Sequence, residues 1–385
     1  MANLSKVILV AAVAASLPVA AMADVILSSN DAHTVLLDGK QHVAPAPVGP
    51  DTVDVIDVTS YPPKITATFA APSSVVGPPG ALWISKDASW GIVASATKAD
   101  PAGTDGISFD DRVSVFDLTT KPPKVTQTVT AGAGAAQVRV SPDGRLALVA
   151  NRAAGTVSVF SVKDKQLTPV GTLDTGNPKS MPGGIAFIDD KTALLTRYGD
   201  NIVNVLRIDG TSVTIDKRPL TTGVAPYTID INAAHTLAAV SNMGRSDGDA
   251  DSVALIDLTA KPYRVVGIYG VPSGPEPLKF SPDGRFLAVG AQNGSIKAAG
   301  NPFHHDGGML EMFAVSGQSL RKVAEVPVGG WAESVAFSRD GRTVLLQSML
   351  NRTIEVFRWD GKALTRGQTM TIPGAGPAAF ASAWP

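Results

Sequence analysis

The sequence predicts an all-β chain, a seven-bladed β-propeller of four-stranded antiparallel blades. Three observations predict it: a tight turn of the Ser-x-Asp-Gly kind recurs seven times, an alternating apolar strand recurs in step with it, and the chain ends on a lone copy of a blade's first strand. A four-stranded blade takes about 40 to 50 residues.

The turns are Ser29-Asn-Asp-Ala, Ser85-Lys-Asp-Ala, Ser141-Pro-Asp-Gly, Ile188-Asp-Asp-Lys, Ile231-Asn-Ala-Ala, Ser281-Pro-Asp-Gly and Ser338-Arg-Asp-Gly, spaced by 56, 56, 47, 43, 50 and 57 residues. Seven such turns imply seven blades. The third strands keep step, in the segments 53–57, 113–117, 157–160, 202–206, 252–257, 309–313 and 353–357, most of them a variant of V-x-V-F/I-D. Each reads as a period-2 strand followed by a polar turn and a more polar outer strand, such as Lys124-Val-Thr-Gln-Thr-Val129. Pro62-Pro63, Pro122-Pro123 and Pro262 fall in the third-to-fourth turns, where a missing N–H costs nothing.

After the seventh blade, Pro377-Ala-Ala-Phe-Ala-Ser-Ala-Trp384 looks like a first strand with nothing following it. Propellers hide their open edge by pairing one terminus into the blade begun by the other. The C-terminal strand is therefore expected innermost in blade one, with Val25 to Ser28 competing for the same slot.

The first residues carry Lys6, an apolar run from Val7 to Ala15, and the small-residue site Ala21-Met22-Ala23 before Asp24. This is the pattern of a cleaved export signal over residues 1–23, leaving a single propeller domain over 24–385 in the periplasm or outside the cell. A membrane anchor would need about 20 apolar residues, and Pro18 interrupts this shorter run. The net charge of −1 provides no field to recruit nucleic acid, and the absence of cysteine excludes disulfides, thiolate metal sites and Cys nucleophiles. With 44% hydrophobic residues and no cysteine, stability must come from packing. A closed ring has little need of a partner for that, so a monomer is expected.

The run from Val138 to Phe160, with Val149-Ala-Asn151 inside it, resembles the bacterial YVTN-type propeller repeat. The resemblance extends over essentially the whole mature chain. It implies the seven-bladed fold, often in exported proteins, and kinship with lactonase-type propellers, but no single activity, because binders and enzymes share the repeat.

Loop length identifies the working face. The first-to-second turns are short and uniform, whereas the second-to-third loops 38–51, 98–112, 242–251 and 292–308 are long, and elaborated loops on a rigid frame usually carry function. On this map His33 and His235 fall in uniform turns and read as structural, while His42, His304 and His305 fall on the elaborated face. His304-His305-Asp306 offers a general base or metal ligand. Asp247, Asp249 and Asp251 alternate in one short loop, a spacing that suits Ca²⁺, although Ser252 and Leu258 stand where an EF-hand needs Gly and Glu. Lys98, Arg152, Arg197, Arg245, Lys297 and Arg352 place a cation in six second-to-third loops, and those that point inward would form a ring suited to a carboxylate or phosphate. Tyr227, Glu276, Trp331 and Glu333 begin first strands near the same channel mouth and complete a pocket for a small ligand.

There is no G-x-S-x-G elbow, H-E-x-x-H or Walker sequence, and Gly132-Ala-Gly-Ala-Ala-Gln is not a dinucleotide loop. Two readings follow. One is a periplasmic propeller that binds a small anionic molecule or a partner protein on its elaborated face. The alternative is a lactonase-like or lyase-like enzyme on that face, with His304 or His305 as base, Arg197 or Arg245 holding an anion, and Glu276 or Glu333 assisting. DNA contact through the cations is disfavoured by the charge and the exported address.

Overall fold

A computed structural model describes residues 24–384, which form one ring of seven four-stranded antiparallel sheets. The export signal expected over 1–23, with Ala21-Met22-Ala23, lies outside the described residues. No helix among the described residues is long and apolar enough to cross a membrane.

Blade one runs Gly376–Ser382, Val25–Asp31, Thr52–Asp57 and Lys64–Ala70 from the centre outward. The innermost strands of blades two to seven are Leu82–Ile84, Ala135–Val140, Pro182–Asp189, Pro226–Ile231, Pro275–Phe280 and Ala332–Phe337. They touch in succession around a central channel. The competition for the closing slot is thereby resolved: the C-terminal strand is innermost, and Val25–Asp31 pairs between it and Thr52–Asp57.

The V-x-V-F pattern has a mechanical reading. In six blades the register of third and fourth strands shifts at one point, as between Val115 and Phe116 or Val159 and Phe160. A bulge breaks the strict alternation of faces. Val115 and Phe116 are accordingly both buried, as are Val159 and Phe160. The apolar side chains meet between blades: Phe160 of blade three clusters with Ile92 and Val115 of blade two, and Phe357 of blade seven with Leu310 and Met312 of blade six.

Six of the seven turns join first to second strands as expected. In Ser141-Pro-Asp-Gly the Ser141 hydroxyl donates to Asp143 (2.6 Å) and accepts the Leu146 N–H (3.0 Å), while Gly144 takes φ +74°. Asn232 replaces the serine in blade five, its Oδ1 accepting the Leu237 N–H at 3.0 Å. The seventh differs. Ser29, Asn30 and Asp31 lie inside the second strand of blade one, and Asn30 matches Asn151 of blade three, each amide donating to a Thr hydroxyl of the next strand. Blade one has no first-to-second turn because both chain ends meet there.

That register moves His33 to the opposite face. It sits buried at the start of an elaborated second-to-third loop, which carries its own hairpin, Thr34–Leu37 with Lys40–Val43, rather than beginning at Asp38. A second hairpin, Thr97–Thr104 with Ile107–Phe109, rises from blade two. The Val43 N–H joins the two through the Asp105 carbonyl at 3.0 Å.

Candidate functional site

The chain enters five of the first strands through a residue in the left-handed region: Gly134, Met181, Ala225, Gly274 and Trp331. Glycine adopts this conformation freely, and a bulky side chain only under strain. Trp331 does so at φ +55°, and its backbone is held there by the Trp331 N–H donating to Ser295 Oγ at 2.9 Å. The indole is thereby turned into the channel. Its Nε1–H donates to Glu276 Oε2 at 3.0 Å, across the boundary between blades six and seven.

Glu276 is 3% exposed and also accepts the Gln292 amide at 2.5 Å. Glu333, next to it, is fully buried, and neither of its oxygens has a hydrogen-bond partner. Burial disfavours the charged carboxylate. It pushes Glu276 up to about 8, against the opposing pull of the Gln292 and Trp331 donors and the Arg152 charge. Burial and the Glu276 charge push Glu333 up as well. Burial thus biases both carboxyls toward their neutral form.

Arg152 closes the outer side. Its guanidinium lies 4.7 Å from the Tyr198 ring centroid and 5.1 Å from that of Tyr227, and its Nη1 has no hydrogen-bond partner. Burial pushes the Tyr227 hydroxyl up, and Arg152 opposes that shift. The aromatic pair is edge-on, with centroids 5.7 Å apart, and packs with Met243.

The linker between blades one and two crosses the channel. A Cβ on Gly77 would lie 2.6 Å from Ala136 of blade three, and one on Gly183 of blade four 3.0 Å from Pro78. Val75 packs on Trp331. The linker is anchored by a buried relay: Asp51 Oδ1 to His33 Nδ1 (3.0 Å), His33 Nε2 to Thr97 Oγ1 (3.2 Å), and Thr97 to Ser74 (2.7 Å). Asp31 accepts the Val75 N–H at 2.9 Å.

Of the residues singled out in the sequence, the structure therefore brings together Arg152, Tyr227, Glu276, Trp331 and Glu333. Arg197 is engaged elsewhere: it bonds Ser180 and Asn204 and pairs with Asp200. His304 bonds the Lys297 carbonyl at 2.9 Å and lies 3.4 Å from Asp306, within its own loop, and His305 is exposed. Arg245 shares a recess of about 270 Å³ with Asp247, Asp249 and Asp251, whose mutual repulsion helps raise Asp251 after burial. Arg352 borders a different recess beside Met349 and Gly376. Among the described residues, the group of three ligating side chains with donor atoms within 4.8 Å of one another is Asp31, His33 and Asp51. Their polar atoms already serve the linker.

Sequence reasoning missed Tyr198, Gln292 and the Asp31–His33–Asp51 group. Tyr198 directly follows the second strand, like Arg152, and that shared register was the available signal. His33 was lost with the misplaced first turn.

Residues 107–221 match the model of the family described as "Lactonase, 7-bladed beta-propeller". The chain is similar to lactonase-type propellers. A protein from Bacteroides fragilis assigned as a 6-phosphogluconolactonase superposes with a TM-score of 0.70 at 15% identity, covering 95% of this chain and 99% of that one. A periplasmic gluconolactonase of Pseudomonas aeruginosa gives 0.66 at 18% identity over 92% and 99%. A functionally unknown protein from Desulfotomaculum acetoxidans gives 0.67 at 16% identity over 87% and 96%. At these identities the likeness is one of fold. No curated protein sequence matches.

Proposed function

We propose that this protein is an exported hydrolase of small polar lactones, acting where Arg152 meets the Glu276–Glu333 pair. The observation that carries the proposal is a buried carboxyl with no hydrogen-bond partner beside a second one raised to about 8, under an arginine with an unspent N–H. Lactone hydrolysis asks for these parts. Water adds to the ring carbonyl, Arg152 stabilises the oxygen on which charge develops, and the carboxyl pair moves a proton from water to the ring oxygen that leaves. The products balance as one hydroxy acid, and the pair ends as it began. The match over 107–221, the relatives named above and the sequence of residues 1–23 support the lactonase reading and the exported address.

Arg152 and Tyr198 are half-exposed whereas both carboxyls are buried, and this favours a second reading, binding of an anion without turnover. Proton release from gluconolactone and 6-phosphogluconolactone, measured above the spontaneous rate, separates the two. The enzyme reading expects acceleration that falls at least about 100-fold in Glu276→Gln, the scale of one proton-transfer group. Failure of the protein to accelerate either lactone, together with saturable binding of gluconate lost in Arg152→Gln, would establish the binding reading instead.

A further inference from the structure

The other half of the channel has chemistry of its own. Below Tyr227, Glu276 and Glu333, the innermost strands enclose a cavity of about 140 Å³, bordered by Thr228, Asp230, Lys279, Ser334, Ser382 and Arg139 and walled by Trp83 and Trp384. It opens toward the short-turn face, which the loop lengths mark as scaffold.

Its charges do not balance. Lys279 Nζ reaches Asp230 Oδ1 at 3.0 Å, and Asp230 Oδ2 accepts the Phe280 N–H at 2.9 Å, so this carboxylate is engaged at both oxygens. Arg139 has no carboxylate within 4 Å among the described residues. Its Nη1 donates only to backbone carbonyls, those of Gly80 (3.0 Å), Val138 (2.8 Å) and Leu82 (3.4 Å), and no bond from its Nε or Nη2 is made among the described residues. Burial pulls Arg139 down to about 10, against the weaker opposing pull of the Asp230 charge, which makes no direct contact with it. A buried charge is ordinarily paired.

We propose that this cavity is an anion site, in which Arg139 and Lys279 clamp a small oxyanion, a phosphate or the carboxylate of a short hydroxy acid. Arg139 presents the planar fork that oxyanions match, Lys279 adds a point charge with donors to spare, and the Ser334, Ser382 and Thr228 hydroxyls supply polar neighbours. The volume admits a small acid and excludes a polymer. The site comes from blades one, three, five, six and seven, lies at the opposite end of the channel from Arg152, and does not rest on the lactonase reading.

The test is calorimetric titration of the folded protein with inorganic phosphate and separately with glycolate, at constant ionic strength set by chloride. Saturable binding is expected, weakened at least tenfold in Lys279→Met and tightened several-fold in Asp230→Asn, which removes the one carboxylate lining the cavity among the described residues. It should persist in Arg152→Gln, which separates it from the upper site. Glycolate binding without phosphate binding, or the reverse, names the oxyanion. Signals that never saturate, or that are the same in wild type, Lys279→Met and Asp230→Asn, overturn the proposal. Should Lys279→Met fail to fold, Asp230→Asn decides alone, because general salt effects do not predict tightening.

Discussion

The Trp331 indole N–H donates to Glu276 Oε2 at 3.0 Å, so a residue of blade seven holds a carboxyl of blade six. The contact requires a tryptophan at φ +55°, where two other blades use glycine. Strain of this kind persists where the surroundings over-determine it. Here Ser295 fixes the backbone and Val75, Met349 and Ala378 enclose the ring.

Glu276 makes stability depend on pH with a defined sign. Its folded value is raised from 4.5 to about 8, chiefly by burial, so the folded state holds the proton more tightly than the unfolded chain. Stability from this group is full below about 4.5 and falls as pH rises through about 8. Glutamine does not titrate. The melting temperature of Glu276→Gln relative to wild type should therefore climb between pH 5 and pH 8.5. A constant difference across that range would contradict the assignment.

The His33 relay predicts a second pH effect at the channel-crossing linker. Burial lowers the His33 value, but the Asp51 hydrogen bond and the Asp31, Asp51 and Asp110 charges outweigh it, and the net shift is upward. A raised histidine contributes stability that is present below its ordinary 6.5 and lost as pH rises through the folded value. His33→Gln should cost more at pH 5.5 than at pH 8.5. In the wild type, hydrogen exchange at Val75 and Val76 should speed up on the alkaline side beyond its intrinsic pH dependence, and flat protection there would count against the relay.

Blade number was legible because the Ser-x-Asp-Gly turn and the V-x-V-F strand are both local: the first is a hydroxyl and a carboxylate capping their own backbone, the second an alternation broken by one bulge. Blade one keeps the strand rule but lacks the turn, because its first strand comes from the far end of the sequence, and reading Ser29 as a turn put His33 on the wrong face. Glu276, Trp331 and Glu333 were legible from their position at strand starts. Which cations reach the channel was not. Arg152 directly follows the second strand of blade three, whereas Arg197 ends that of blade four one register position earlier, and their partners differ: Asp200 neutralises Arg197, while Arg152 finds Tyr198 and Tyr227.

Substitution should expose that difference. Arg197→Gln leaves Asp200 without its cation and should destabilise by about 3 kcal/mol, the scale of a broken buried pair. Arg152→Gln removes a cation over two rings and should cost about 1 kcal/mol. Denaturant unfolding of both variants measures this directly, and equal losses would mean that Arg152 is as structural as its neighbour.

Ring closure supplies the last prediction. The strand Gly376–Ser382 is held on one side by Val25–Asp31 and on the other by contacts with Ala332–Phe337 and Leu82–Ile84. Trp384 fastens its end: Nε1–H donates to the Phe337 carbonyl at 3.1 Å, and the Arg339 guanidinium lies 4.9 Å from its ring centroid while pairing with Asp24 at 2.5 Å. Trp384→Ala removes a buried aromatic and leaves the Phe337 carbonyl unpaired, a loss of about 3 to 5 kcal/mol. Because each blade packs only on its neighbours, the damage should begin at the junction of blades seven, one and two. Exchange protection in Trp384→Ala should therefore fall first in Val25–Asp31 and Ala332–Phe337 and last in blade four, and uniform loss around the ring would show that closure is not the weak point.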